Sequence, residues 1–350
     1  MNFNSDNWAG AHPSISESLA IHGEGMASAY GSSTLDKKVE KIFEEIFEHE
    51  VAVFFVGTGT AANSLGMAAV NRPGGVMLCH DEAHIVKDEC GAPEYFTGGG
   101  RLQTVAGDQG KIDPRELRRE ISKFRPDFIH AGQPMAVTIT QSTEVGTIYS
   151  AEEIEAIAEV CKEAKLPLHM DGARFPNALV THGVSPAEMT WKRGIDFLSF
   201  GATKNGCWCA EALVFFNPSM AKNLPYIRKR GAQLFSKTRF IAAQFEAYFK
   251  NDLWLELAAN ANRQATRLHE MLSQCPDIRP AWPTEANEVF AIMPKTRASQ
   301  WKEGGVGFYE WPVPNDIRND VGEDETLVRL VGNFRTSDEE VEAFRQFLKS

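Results

Sequence analysis

The chain has 350 residues, 43% of them hydrophobic and 10% aromatic, and carries a formal net charge of -11. A length of this order suits one large domain, or one large and one small, and buries about three quarters of the unfolded surface. The acidic balance argues against a chain that works by binding nucleic acid or an anionic membrane, and points to small, soluble partners.

In chain order, residues 1–30 are rich in Gly, Ser and Asn and read as an N-terminal arm. Their opening, MNFNSDNWAGAHPSISESLA, lacks the basic and apolar pattern of a signal peptide, and no apolar run approaches the ~20 residues of a membrane span. A cytoplasmic location is expected. LDKKVEKIFEEIFEHE then puts Val39, Ile42, Phe43, Ile46 and Phe47 on one helical face, and VAVFFV (51–56) reads as a buried strand. A glycine turn, GTGT, opens a small-residue helix, AANSLGMAAV. VMLCH (76–80), AVTIT (136–140), PLHMD (167–171), FLSF (197–200) and ALVFF (212–216) read as further strands. Helices with explicit starts lie between several of them: Asp113-Pro114-Arg115-Glu116 and Ser150-Ala151-Glu152-Glu153 both fit a capping box. Short apolar strands alternating with capped helices indicate an α/β fold with a mainly parallel sheet covered on both faces.

The rhythm changes after residue 217. Two long helical patterns, 220–250 and 254–275, precede strand candidates EVFAIM (288–293) and TLVRLV (326–331) and a capped final helix from Ser337. The expected organisation is a large domain over 31–245 and a small α+β domain over 246–350. The six cysteines, at 79, 90, 161, 207, 209 and 275, have no metal-ligand spacing, so no metal is expected. They read as mostly buried thiols of a reducing compartment.

Three stretches carry chemistry. In VAVFFVGTGTAANSLGMAAV, a strand, a glycine turn and a helix leave backbone N–H groups and the positive end of a helix dipole free for a phosphate, with Gly59 and Thr60 at its centre. The turn also fits G-x-G-x-x-A, with Asp81 about twenty residues on, which is a dinucleotide fingerprint; a tight turn that only packs a helix closely is the plainer reading. In LHMDGARFPNA, Asp171 falls at the carboxyl end of an apolar strand, where open α/β sheets bind ligands, and Arg174 follows in the loop. A helix cap or an Asp171–Arg174 pair would explain these two without a ligand. In SFGATKNG, Lys204 follows another strand, where a lysine alone is as well explained by snorkelling or an ion pair.

One cofactor uses all three. Pyridoxal phosphate needs a phosphate cradle, an acid group on its ring nitrogen, and a lysine whose amine forms a Schiff base. Gly59 and Thr60, Asp171, and Lys204 supply these in order. Asp171 and Lys204 are 33 residues apart, room for one crossover helix, PAEMTWKRG (186–194). A dinucleotide leaves both unexplained.

FNSDN, FFVGTGTAANSL, EAHIVKDECGAPE, HMDGARFPNA and SFGATKNG together resemble the low-specificity threonine aldolase family, strongly over 1–250 and more loosely after. The resemblance implies the large-domain fold of pyridoxal phosphate-dependent transferases related to aspartate aminotransferase (fold type I). It also implies a homotetramer with active sites between subunits, and cleavage of β-hydroxy-α-amino acids such as threonine, allo-threonine or phenylserine to glycine and an aldehyde. Carried onto matching positions, Lys204 holds the cofactor, Asp171 its ring nitrogen, and His84 stacks on its ring. Ser5, Arg174 and Arg329 match positions that bind the substrate carboxylate or the cofactor's phenolic oxygen, and Lys237 reaches the phosphate of a neighbouring subunit. A base must take the proton from the β-hydroxyl; the better-known branch has a histidine in the loop matching TQSTEVGT, where this chain has Glu144. A β-eliminating lyase or aminotransferase on the same cofactor is the alternative, and an NAD-dependent oxidoreductase using the GTGTAA turn a more distant one.

Overall fold

The computed structural model describes residues 1–349. Strands β1 (Ala52–Val56), β2 (Gly75–His80), β3 (Arg101–Val105), β4 (Gln133–Thr140), β5 (Leu168–Gly172), β6 (Phe197–Gly201) and β7 (Glu211–Phe215) form one sheet in the order β1-β7-β6-β5-β4-β2-β3. From β6 to β3 every pairing is parallel; β7 alone runs antiparallel to both its neighbours, β1 and β6. Every residue of β2, β5, β6 and β7 is buried, as expected of strands covered on both faces. VAVFFV, in contrast, is an edge strand, and of β1 only Phe55 and Val56 are buried. β3 was not anticipated, because RLQTV mixes charge and polar groups in a half-exposed edge.

The amphipathic helix Thr34–Phe47 starts in a capping box between Ser33 and Asp36 and buries Val39, Phe43 and Phe47 against the sheet. Phe43 lies 5.1 to 6.4 Å, ring centroid to ring centroid, from Phe47, Phe55, Phe200, Phe245 and Phe249. Truncating such a ring to alanine costs about 3–5 kcal/mol. Ser150 also opens a reciprocal capping box. Asp113 does not: it caps only by accepting from Arg115 N, because its own N–H is taken by the Ala106 carbonyl and Glu116 pairs with Arg119.

Two further expectations change. The crossover between β5 and β6 is carried mainly by the helix Phe175–His182, with only two short helical turns, Pro186–Met189 and Trp191–Arg193, in PAEMTWKRG. The pattern over 220–250 breaks into Pro218–Ala221, Leu224–Arg230 and Arg239–Phe249. Gly231 ends the second piece where a Cβ would come within 2.9 Å of Leu65, and Ala232 follows at φ +59°. The freed segment lies over the glycine turn, where Gln233 Oε1 accepts the N–H of Gly57 at 3.0 Å. Of the cysteines, Cys79, Cys161 and Cys207 are buried, Cys209 and Cys275 half-buried and Cys90 exposed, so burial extends to three of them.

A second, antiparallel sheet runs β10 (Tyr309–Trp311), β11 (Glu325–Val331), β9 (Glu288–Pro294), β8 (Arg279–Pro280). The helix Leu253–Leu272 serves both cores: Trp254 and Leu257 pack with the first sheet, Ala265, Leu268 and Leu272 with the second. The N-terminal residues are built into the second sheet, since Phe3 is buried there, donates to the Gly307 carbonyl and accepts from Val331 N. No helix among the described residues is long and apolar enough to cross a membrane, and no cluster among them has the make-up of a metal site.

Candidate active site

β5 and β6 are neighbours with Asp171 in register with Ser199, so the loops carrying Asp171 and Lys204 leave the same sheet edge side by side. This is the carboxyl edge at which open α/β sheets bind ligands. Asp171 is buried; its Oδ1 accepts Ala173 N at 3.1 Å and its Oδ2 accepts the Asn63 amide at 2.8 Å. Lys204 stands half-buried on the turn Thr203–Asn205. That turn is held from below by Asn205, which donates to Tyr248 Oη at 2.7 Å and to the Trp254 carbonyl at 2.8 Å.

Beside them opens the helix Gly59–Ala69, capped by Thr58 Oγ1, which accepts Ala61 N at 3.1 Å. The N–H groups of Gly59 and Thr60 belong to the first turn and have no intrahelical partner. A Cβ at Gly59 would meet nothing within 4 Å, so the space over the turn is open. The dinucleotide reading fails on topology: its fingerprint needs β1 and the strand before Asp81 to be adjacent, whereas β7, β6, β5 and β4 separate β1 from β2.

His84 heads the short helix His84–Lys87, and its Nδ1 donates to Glu89 Oε1 at 3.0 Å. That bond holds the imidazole above its usual pKa; burial opposes it, and Glu144 and Asp171 support it. Glu89 Oε1 also accepts the Asn63 amide at 2.8 Å, so His84, Glu89, Asn63 and Asp171 form one hydrogen-bonded chain. Asn63 Oδ1 and Glu89 Oε2 are buried without a hydrogen-bond partner among the described residues.

Opposite lies an arginine cluster. Ser5 caps the turn Asp6–Trp8 by accepting Asn7 N, which directs Asp6 to Arg174 in a two-pronged pair of 2.8 and 3.2 Å. Arg174 and Arg329 both approach one oxygen, Glu288 Oε1, at 3.3 Å. Arg329 is buried, and its guanidinium lies 4.1 Å from the centroid of the Trp311 ring.

Glu144 sits in the loop 141–149, every residue of which is buried. Gln141 ties the loop shut by receiving Tyr149 N and donating to Tyr149 O, both at 2.9 Å, while Thr143 N donates to the Thr147 carbonyl. The Glu144 carboxylate accepts no hydrogen bond among the described residues. Burial pushes its pKa up, but Lys204, Arg174, His84 and Arg329 together outweigh that and hold it below the usual carboxylate range. The groups that hold this buried carboxylate down thus come from four different loops and strands. Lys237 stands exposed before the helix Arg239–Phe249, two residues beyond Phe235, whose ring lies against Gly57.

Sequence reasoning missed Asp6, Asn63, Glu89 and Glu288. A polar amide inside the small apolar run AANSLGMAAV and a glutamate heading EVFAIM were the available signals, each a buried polar group in need of a partner.

An open helix turn, a lysine and a carboxylate at adjacent strand ends, and two arginines sharing one carboxylate thus lie together on a fold type I architecture. The chain belongs to the beta-eliminating lyase family, whose model matches residues 2–296. Within it, the chain belongs with the low-specificity L-threonine aldolases. It is 42% identical over 307 residues to the low specificity L-threonine aldolase of Pseudomonas aeruginosa, covering 88% of each chain. The threonine aldolase of Leishmania major superposes with a TM-score of 0.91 at 29% identity, covering 99% of this chain and 98% of that one. The fold extends to rice TDC, solved with PLP and tryptamine, at a TM-score of 0.77 and 12% identity, covering 99% of this chain and 82% of that one. The family and fold expected from the motifs are those found.

Proposed function

We propose that this protein is a pyridoxal phosphate-dependent aldehyde-lyase that cleaves β-hydroxy-α-amino acids, threonine among them, to glycine and an aldehyde. The observation that carries this reading is the placement of Lys204 and Asp171 at the ends of adjacent parallel strands, beside the open first turn at Gly59 and Thr60. The residues fit the cofactor: the Gly59 and Thr60 N–H groups would hold its phosphate, Lys204 its aldehyde carbon, Asp171 its ring nitrogen and His84 its ring face. When bound, it supplies an electron-poor ring that accepts the electron pair of the broken Cα–Cβ bond.

The chain's own residues do the rest. Ser5, Arg174 and Arg329 hold the substrate carboxylate and so fix which Cα bond stands across the ring. Glu144, its pKa held below the usual carboxylate range, takes the proton from the β-hydroxyl as the aldehyde leaves. Asn63 and Glu89 keep Asp171 and His84 in place.

In this reading the working form is a cytoplasmic homotetramer in which Lys237 reaches the phosphate bound by a neighbouring subunit; the six free cysteines support a reducing compartment. The test is direct. Purified protein supplied with pyridoxal phosphate should be yellow, release glycine and acetaldehyde from threonine, and on borohydride treatment carry the cofactor on Lys204. A β-eliminating lyase or an aminotransferase would give ammonia or an oxo acid instead of the aldehyde, and labelling at another lysine would displace Lys204 from its role.

A further inference from the structure

The two guanidiniums of the arginine cluster are already matched by two buried carboxylates. Asp6 already pairs with Arg174 through both oxygens and accepts the Asn287 amide at 3.1 Å. Glu288 lies between Arg174 and Arg329 with its side chain 0% exposed, and both cations share its Oε1. Its Oε2 is buried with no hydrogen-bond partner among the described residues, and so is Arg329 Nε. An unpaired guanidinium nitrogen beside a one-sided pair is a group still able to receive an anion.

Resting on the reading above, in which Arg174 and Arg329 bind the substrate carboxylate, we propose that Glu288 is the positioning counter-anion of that site. In the free enzyme it holds the two guanidiniums together. When a ligand carboxylate arrives, Glu288 takes up one proton from solvent, so that no additional buried charge is left unpaired.

Three carboxylates face the two arginines, and their surroundings differ. Asp6, from the N-terminal turn, is held at a pKa of about 2: burial raises it, and Arg174, Lys204 and the bonds from Arg174 and Asn287 more than reverse that. Glu144, from the loop after β4, is also held low. Glu288, from β9, alone is pushed up, because burial and its neighbours Glu144 and Asp6 outweigh Arg174 and Arg329. Adding a fourth carboxylate at the same guanidiniums pushes it further in the same direction. The Glu288 side chain is 0% exposed, and the loop of Glu144 closes on its backbone at Gly146, where a Cβ would stand 2.9 Å from the Glu288 carbonyl oxygen.

The sign of the pH dependence follows. A group whose pKa rises on binding makes binding tightest below its free-state pKa. Affinity then falls as pH climbs to the bound-state pKa and is flat above it.

The probe is 3-hydroxybutanoate, which carries the carboxylate and β-hydroxyl of threonine but no amine to displace Lys204. It is titrated into the holoenzyme by calorimetry, in paired buffers of different ionisation enthalpy, across the pH range above the probe's own pKa. Uptake approaching one proton per probe is expected, with a dissociation constant that rises by up to about tenfold per pH unit within the window. Glu288→Gln should abolish the uptake, flatten the pH dependence, and bind at least as tightly as wild type at the high-pH end. Glu144→Gln should keep the uptake.

Binding that is lost in Arg329→Ala but brings no proton in wild type overturns the proposal alone. So does uptake that survives Glu288→Gln or vanishes in Glu144→Gln. Failure of wild type to bind the probe, or binding indifferent to Arg329→Ala, puts the carboxylate elsewhere and overturns the site reading with it. The wild-type proton count decides the matter even if Glu288→Gln does not fold.

Discussion

Asn63 donates its side-chain amide to Asp171 Oδ2 and to Glu89 Oε1, each at 2.8 Å, and so couples the strand-end carboxylate to the partner of His84. Asn63→Ala leaves Asp171 with only the Ala173 N–H to orient it and strips a buried carboxylate of a donor. Loss of a buried hydrogen bond to a charged group costs about 1.5–3 kcal/mol, hence a fall in kcat of roughly 10- to 100-fold when that bond is made fully only in the transition state. Cofactor should still be fixed to Lys204 by borohydride, because the phosphate turn and the lysine are untouched. An Asn63→Ala enzyme with wild-type kcat would reduce this chain of bonds to packing.

Asp6 makes stability depend on acid. Its carboxyl is held at about 2 against an ordinary 3.8, and the group is fully buried. A depressed carboxylate contributes stability that is complete above the unfolded value and disappears as pH falls from 3.8 through about 2; the size here is about 2 kcal/mol. Comparing urea unfolding of wild type and Asp6→Asn should show a gap near neutrality that narrows across that acid window. A gap independent of pH would mean that the Asp6–Arg174 pair contributes geometry and not charge.

Much of this site could be read from residue order because its chemistry lies at strand ends. Apolar runs place β5 and β6, and once they are neighbours Asp171 and Lys204 must emerge together. Arg329 and Glu288 are different: they meet because β11 and β9 pair antiparallel, with Arg329 opposite Phe290 and Val331 opposite Glu288. No local pattern encodes that register. Asn63 likewise looks like one more small residue in AANSLGMAAV until the fold delivers Asp171 to its amide. The break near Gly231 was hidden for a similar reason, since helical periodicity continues through it and only contact with Leu65 and Gly57 shows why the chain must leave the helix.

Gly146 should tolerate no side chain. It has φ +80°, and a Cβ there would lie 2.9 Å from the Glu288 carbonyl oxygen and 3.2 Å from the Glu288 Cβ. Backbone strain of this kind costs about 1–3 kcal/mol before the clash is counted. Gly146→Ala is therefore expected to lower thermal stability and, by shifting the loop, to move Glu144 relative to Lys204 and the arginines. Turnover should fall more than cofactor binding does. Unchanged stability would show that the loop relaxes freely, against its complete burial.

The base is tested by comparing Glu144→Gln with His84→Asn. Glutamine keeps the size of Glu144 but cannot accept the β-hydroxyl proton, so kcat should fall roughly 100-fold or more while the cofactor remains bound. The pH profiles carry the sharper signal. Glu144 is depressed by Lys204, Arg174, His84 and Arg329 against the opposing effect of burial, so in the free enzyme it loses its role as a base only below the ordinary carboxylate value of 4.5. That limb belongs to kcat/KM. When a carboxylate arrives on the two arginines and Glu288 takes up its proton, the charge around Glu144 is unchanged, so the acid limb of kcat should stay close to that of kcat/KM. His84 acts in the other sense: its imidazole is raised by Glu89, so its charge is lost as pH climbs through that raised value, and His84→Asn should alter the alkaline side. In Glu144→Gln the acid limb should vanish from both profiles and the alkaline side should stay. If the acid limb survives in Glu144→Gln and is lost in His84→Asn, the proton goes to His84, and Glu144 is left as a buried anion beside Arg174 and Arg329.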